Sequence, residues 1–475
     1  MNAYDLAVIG GGSAGYAAAR TAAEAGAKVA VIEGGEEVGG LCILRGCMPT
    51  KALLESAHRM HEIGRAGEFG LKVAKPLPNW PKIIERKNTL IEDFAGFRRH
   101  QLIKGKFDFI RGRASFIDPH TLEIHSLGKA KEGHAQKLLA RSYIIATGSV
   151  VDRLPIPGLE ETGYLTSDEA IQQSKPLKSL IVLGGGAIAV EFAQYFLHLG
   201  VRVTLIQRSG QLLKSHDADV AGALETVFRN EGMRVYTGTD LVEVKKLGQN
   251  KSVVFEQEGK RVTVAAEEIL YALGRRPAIE GLGLEKAGLE LNGKAVAINT
   301  RLQTAQPHIF AVGDVSGPYE VVHTAITQGE AAARNAWKVV HGKTDLEEVD
   351  YRLHMEVIFT SPEVASVGLS EKQAKQKNIA VKAAKYPFSD HGKSMIMGAM
   401  DGFVKVVADA NTGEILGAQI VGPHASDLIH EFVVAMHFKS TVHEFLKIPH
   451  YHPTLAEIVT YPVEELADQI SRKNP

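Results

Sequence analysis

The chain has 475 residues, 45% of them hydrophobic and 23% charged, with a formal net charge of -1. That balance excludes a disordered polyelectrolyte and offers no basic field for nucleic acid, and the length leaves room for about three domains. No apolar run approaches the roughly 18 residues of a membrane span, and the opening MNAYDLAVIGGG lacks the basic n-region of a signal peptide, so a cytoplasmic protein is expected.

Residues 6 to 33, LAVIGGGSAGYAAARTAAEAGAKVAVIE, read as an apolar strand, a Gly10-x-Gly12-x-x-Gly15 turn, an Ala-rich helix ended by Gly26, and a second strand closing on Glu33. Such glycines let backbone approach a pyrophosphate at a helix N-terminus, and the closing acid accepts from ribose hydroxyls. With strand, helix and acid all in place, the motif predicts a dinucleotide site.

The stretch GGLCILRGCMPTK (39 to 51) holds Cys42 and Cys47, the only two cysteines. Disulfide frameworks belong to short secreted chains, whereas a pair in a cytosolic chain of this size points to redox chemistry. Metal ligation is the competing reading; it lacks the CxxC spacing and the further Cys partners of a zinc site. On a regular helix, residues five apart have Cα atoms roughly 8.7 Å apart, beyond the ~7 Å limit of a disulfide. A bridge therefore needs an irregular first turn, which Gly46 and Pro49 permit, and a strained local bridge is easily reduced. A helical stretch over 80–104 follows, then a polar loop over 127–137 that reads as a hairpin excursion.

Residues 180 to 207, LIVLGGGAIAVEFAQYFLHLGVRVTLIQ, repeat the first plan with Gly184, Gly186 and Ala189. From Gly15 to Glu33 is 18 positions, and the same step from Ala189 reaches Gln207, with Arg208 next and Lys214 six residues beyond that. An acid at the end of that strand repels a 2′-phosphate; here Gln207 removes the repulsion and two cations follow, although loop cations also commonly just face solvent. Near the C-terminus, Pro453 after His452 suits the first position of a helix, with Glu457 in its opening turns. A carboxylate there could hold the imidazole in one orientation and leave it to shuttle a proton. His450 reads as structural.

Together these motifs resemble the class I pyridine nucleotide-disulfide oxidoreductases, the flavoprotein family of dihydrolipoamide dehydrogenase, glutathione reductase and mercuric reductase, over nearly the whole chain. IIATGS (144 to 149) resembles the chain's first return to the FAD domain, and TAQPHIFAVGD (304 to 314) the second FAD motif. FTSPEVASVGLSE (359 to 371) resembles the start of the interface domain, and HPTLAE (452 to 457) the catalytic His-Glu pair. The resemblance implies an α/β fold with two Rossmann-like dinucleotide-binding domains, for FAD and NAD(P), plus a C-terminal α+β dimerisation domain. The boundaries implied are 1–150 and 277–345 for the FAD domain, 151–276 for the NAD(P) domain and 346–475 for the dimerisation domain.

The resemblance also implies the chemistry. Electrons pass between a nicotinamide, FAD, a Cys42–Cys47 disulfide and a small disulfide or dithiol. Cys42 is the interchange thiol, Cys47 faces the flavin, Lys51 lies by the flavin paired with Glu191, and Asp314 binds the ribityl chain. Gly40, Thr147, Gly148 and Gly274 join the cofactor-binding set. Family members that use NADPH carry cations at the positions of Arg208 and Lys214, so NADPH is expected over NADH. His452 and Glu457 are expected to serve the dithiol of the other subunit in a homodimer, with no metal, nucleic acid or membrane span. Leu41 and Leu44 depart from the family's Thr and Asn beside the sulfurs, and Ala187 stands where glutathione reductases carry an aromatic gate. The second nucleotide unit looks most like that of mercuric reductases, yet their additional C-terminal cysteine pair is missing. Metal or quinone reduction and a redox-sensing dimer remain as alternatives, and the His452–Glu457 pair favours turnover on a disulfide.

Overall fold

The computed structural model describes residues 4–127 and 135–470, and the chain divides into two compact units. The first comprises Met1–Thr50, Glu85–Arg153 and Gly274–Asp350. Its parallel strands run in the order Asp108–Asp118, Val29–Glu33, Tyr4–Ile9, Ala135–Ile145 and Ile309–Ala311. Thr121–Ser126 pairs antiparallel with two of these. The loop expected over 127–137 falls largely on residues 128–134, which lie outside the described residues.

Alternation along the strands explains why they read as unbroken apolar runs: Leu6 and Val8 enter one core, Ala7 and Ile9 the other, so both faces of the sheet are covered. On one face the helix Ser13–Glu24 packs against Val322–Val340. A Cβ on Gly329 would stand 2.3 Å from the Ala14 carbonyl oxygen, so the two backbones touch where only glycine fits.

The second unit comprises Lys51–Ile84, Leu154–Leu273 and Tyr351–Pro475. It holds a parallel sheet ordered Glu268–Tyr271, Ser179–Leu183, Arg202–Ile206, Arg234–Tyr236, flanked by the helices Ala187–His198 and Ala218–Asn230. It also holds a five-stranded antiparallel sheet, Met355–Ile358, Glu363–Gly368, Ile415–Gly422, Phe403–Asp409 and Val381–Pro387 in that order. The helices Ala425–His437 and Thr460–Gln469 pack on it through Ile429, Phe432, Val463 and Leu466. Two helices cross from one unit's residues to the other's, Cys47–Gly64 and Trp80–Ile103.

Candidate active site

Within the first unit, Gly10 leaves its strand at φ 106° and donates its N–H to the Ile32 carbonyl, and a Cβ on Gly15 would lie 1.9 Å from the Gly10 oxygen. Strand, turn and helix are thus compressed to a spacing only glycine allows. Gly12 caps Ser13–Glu24 without a side-chain hydrogen bond, which leaves the first helical N–H groups for an anion. Gly40 lies over this turn, its would-be Cβ 2.7 Å from Gly12 Cα. Glu33 is buried and accepts the N–H groups of Gly11 at 2.8 Å and Gly35 at 2.6 Å. Two carboxylate oxygens offer about four acceptor sites, so capacity for ribose hydroxyls remains.

The other strand ends of this unit supply a second polar group. Asp314 stands in the turn Gly313–Val315 and accepts from the Ser149 hydroxyl at 2.7 Å; Arg275 Nε donates to that hydroxyl at 2.9 Å. Thr147 donates to the Ala278 carbonyl at 2.8 Å, Gly148 accepts from the Ala278 N–H, and Gly274 accepts from the Asp152 N–H. The set of helix N–H groups, a strand-end acid with spare acceptor capacity and a second carboxylate fits a flavin dinucleotide. Ser149 closes the IIATGS motif, but its link to Asp314 and Arg275 emerges only from the fold.

The cysteines flank a break. Leu41–Leu44 forms a single helical turn, Arg45 and Gly46 interrupt it, and Cys47 opens the long helix to Gly64. A Cβ on Gly46 would lie 3.2 Å from Cys42 Cα, so the chain folds back on the first cysteine as it reaches the second. Thr50 donates its hydroxyl to the Gly46 carbonyl at 2.8 Å, securing this start. Pro49 sits in the first turn, where a missing N–H is harmless. Arg98 lies beside them, its guanidinium 4.2 Å from the Tyr16 ring centre. Burial holds that guanidinium below its ordinary range, against a smaller upward pull from Tyr16 and Cys42.

In the second unit, Lys51 Nζ donates to both Glu191 oxygens at 3.0 and 2.9 Å, and the Phe359 N–H donates to the same carboxylate at 2.9 Å. The Glu191 side chain is 4% exposed, and Lys51 also sits 4.7 Å from the Phe359 ring centre. The second fingerprint repeats the first: Gly184 ends its strand, Gly186 caps Ala187–His198 without a side-chain bond, and Ala189 is fully buried. Gln207 packs on the turn, since a Cβ on Gly185 would fall 2.9 Å from its Cδ. The Leu213 N–H donates to the Gly185 carbonyl at 2.8 Å, folding the segment back so that Lys214 returns to the turn that Arg208 leaves. Both cations are exposed.

His452 Nδ1 lies 2.9 Å from Glu457 Oε2; the imidazole is 78% exposed and the carboxylate 11%. The helix expected to begin at Pro453 does not. Residues 452–455 are non-helical and a 3₁₀ turn begins at Ala456. The Thr454 hydroxyl accepts the Glu457 N–H in a long 3.4 Å contact at the start of this turn. His391, buried and unmarked in the sequence, approaches Glu457 Oε1 from the other side at 3.4 Å, with Nδ1 2.8 Å from the Ser394 hydroxyl. His450 pairs elsewhere, with Glu431 at 2.8 Å.

Residues 4–329 match the family model described as pyridine nucleotide-disulphide oxidoreductase, and residues 355–462 match its dimerisation domain. A dihydrolipoyl dehydrogenase of Bacillus subtilis is 36% identical over 436 residues, covering 90% of this chain and 90% of that one. A mercuric reductase of Staphylococcus aureus is 35% identical over 430 residues, covering 90% and 76%. Among solved structures, the Cu(II) complex of the HOCl-induced flavoprotein disulfide reductase RclA from Escherichia coli superposes with a TM-score of 0.84 at 26% identity, over 98% of this chain and 100% of that one. Among the described residues, no helix is long and apolar enough to cross a membrane.

Proposed function

Because the chain belongs to the pyridine nucleotide-disulphide oxidoreductase family, we propose that it moves electrons between NADPH and a small disulfide or dithiol through Cys42 and Cys47, with His452 carrying the proton. It is an FAD-dependent oxidoreductase that uses a pyridine nucleotide, and it carries the dimerisation domain of a homodimer. Bound in its cradle, FAD supplies the two-electron relay between nicotinamide and dithiol.

In the reducing direction the Cys42 thiolate attacks the substrate disulfide, forms a mixed disulfide and expels one thiolate, which takes a proton from His452. Cys47 then attacks the Cys42 sulfur, releasing the second thiolate and leaving a Cys42–Cys47 disulfide. Lys51, fixed by Glu191 at 2.9 Å, supplies positive charge next to the redox helix's first turn.

The observation that carries this reading is the His452–Glu457 pair: an exposed imidazole backed at 2.9 Å by a mostly buried carboxylate. Glu457 accepts at Nδ1, which leaves Nε2 for the exchangeable proton. A redox sensor or a donor to quinones has little use for such a device. The exposure of His452 and the dimerisation domain support a site completed across the dimer, His452 of one subunit serving the dithiol of the other. A cytoplasmic location fits a chain whose two cysteines both lie in the redox motif.

His452→Ala is the test. Reduction of the flavin by the nicotinamide should be nearly unchanged, while turnover of lipoamide or oxidised glutathione falls by about 10² or more; equal losses in both half-reactions would make His452 structural. Reduction of a metal ion is the second reading, supported by the mercuric reductase relative and the Cu(II) complex. Turnover of Hg(II) or Cu(II) that exceeds disulfide turnover and survives His452→Ala would favour it.

A further inference from the structure

Three helix ends of the second unit converge on a cluster that the electron path does not use. His61 lies in the last turn of Cys47–Gly64, His198 ends Ala187–His198, and Glu231 caps Ala218–Asn230. One ligand-type atom from each lies within 4.8 Å of the others. We propose that His61, His198 and Glu231 form a binding site for a divalent zinc ion that ties the three helices together.

An ordinary hydrogen-bonded cluster accounts for only part of the geometry. His198 Nε2 stands 3.2 Å from Glu231 Oε2, but His61 Nε2 stands 3.8 Å from Oε1, beyond hydrogen-bond range. Two ligands each about 2.0–2.1 Å from one tetrahedral zinc ion are roughly 3.3 Å apart, so His61 must move inward and turn its ring to join His198 and Glu231 at one ion. The two imidazoles stack with centres 4.2 Å apart and planes 19° from parallel. Zinc lies in the plane of each imidazole it binds, so one ring must turn out of this stack for both nitrogens to reach the ion beside Glu231.

The surroundings hold the ligands and supply spare nitrogen. Gln194 Nε2 donates to Glu231 Oε2 at 3.1 Å and so orients the carboxylate, as outer-shell groups do at metal sites. His58, one turn before His61, has its ring centre 6.0 Å from that of His198. His58 Nε2 and His198 Nδ1 are buried without a hydrogen-bond partner among the described residues. Two imidazoles and a carboxylate select a borderline ion such as zinc over magnesium or calcium, which prefer all-oxygen sites. The fourth position falls to water.

Along the helix, His61 is 14 residues from Cys47, about 21 Å at 1.5 Å per residue. Zinc there acts on stability rather than on the sulfurs of the same helix. The test uses the FAD-loaded Cys42→Ser/Cys47→Ser dimer, in which thiol binding of zinc is absent. Equilibrium dialysis with Zn(II) should give one ion per chain and a raised unfolding temperature, with Mg(II) giving neither. Adding His61→Gln or Glu231→Gln should weaken zinc binding at least tenfold and abolish the shift. Should Glu231→Gln fail to retain FAD, His61→Gln decides alone. Absence of stoichiometric zinc, or binding indifferent to these substitutions, overturns the site.

Discussion

Arg208→Ala is expected to remove most of the proposed preference for NADPH. The strand Arg202–Ile206 delivers Gln207 onto Gly185, with a would-be Cβ contact of 2.9 Å, and the Leu213 N–H on the Gly185 carbonyl at 2.8 Å brings Lys214 back to the same turn. A 2′-phosphate at this strand end would therefore meet Arg208 and Lys214, and no carboxylate at position 207. A well-formed charge-assisted bond contributes roughly 1.5–3 kcal/mol, whereas exposed ion pairs contribute ~0.2–1 kcal/mol. Both cations are exposed, so each contact is discounted to about 1–1.5 kcal/mol. One contact then discriminates by about 5- to 13-fold and two by about 30- to 160-fold. The assay is kcat/KM for NADPH against NADH at low and high ionic strength, since added salt shortens the reach of exposed charges. Arg208→Ala should lower the ratio by about tenfold and flatten its salt dependence, and Gln207→Glu should turn it towards NADH by restoring the repulsion. The reasoning fails if the unmodified enzyme uses both nucleotides equally at low salt, or if Arg208→Ala keeps the full preference.

Cys42→Ser should retain the long-wavelength absorbance of the two-electron-reduced holoenzyme and Cys47→Ser should lose it; the reverse pattern would exchange the two roles. His391→Ala removes the imidazole 3.4 Å behind Glu457 and should slow disulfide turnover by up to about fivefold, the loss of one contact of ~1 kcal/mol or less, with flavin reduction by the nicotinamide unaffected. Rescue by His391→Gln would support positioning of Glu457, and equal losses in both half-reactions would exclude it. Lys405, its side chain 2% exposed, donates to Asp217 and Asp219 at 2.8 Å and to Glu371 at 3.1 Å. Burial pushes the Asp217 carboxyl up, but the hydrogen bond and charge of Lys405 outweigh it and hold the group below its ordinary range. A depressed carboxyl stabilises the fold above its unfolded pKa of about 3.9 and ceases to do so as pH falls through the folded value. Lys405→Met should thus cost about 3–5 kcal/mol at pH 7, and denaturant titrations should show the gap from the unmodified protein narrowing below about pH 4. A gap independent of pH would mean that Lys405 acts by packing alone.

Legibility tracks how local each interaction is. The two nucleotide cradles are readable because strand, glycines, helix and closing residue are contiguous, and the backbone compression at Gly15 needs glycine whatever surrounds it. Lys51 and Glu191 lie 140 residues apart, so no spacing rule joins them and only family resemblance does. His391 reaches Glu457, and His61 reaches His198 and Glu231, through packing of separate elements; nothing in the flanking residues marks them. Even a local signal can fail. Pro453 is well suited to open a helix, yet the first turn begins only at Ala456, with the Thr454 hydroxyl 3.4 Å from the Glu457 N–H. The outcome bears on chemistry. Starting the turn there keeps His452 outside the helix, where its ring is exposed, while Glu457 stays within the turn, buried, with Oε2 on Nδ1. The Thr454 hydroxyl touches the backbone of the residue that aims the imidazole, so Thr454→Val should loosen the pair and slow disulfide turnover without altering flavin reduction.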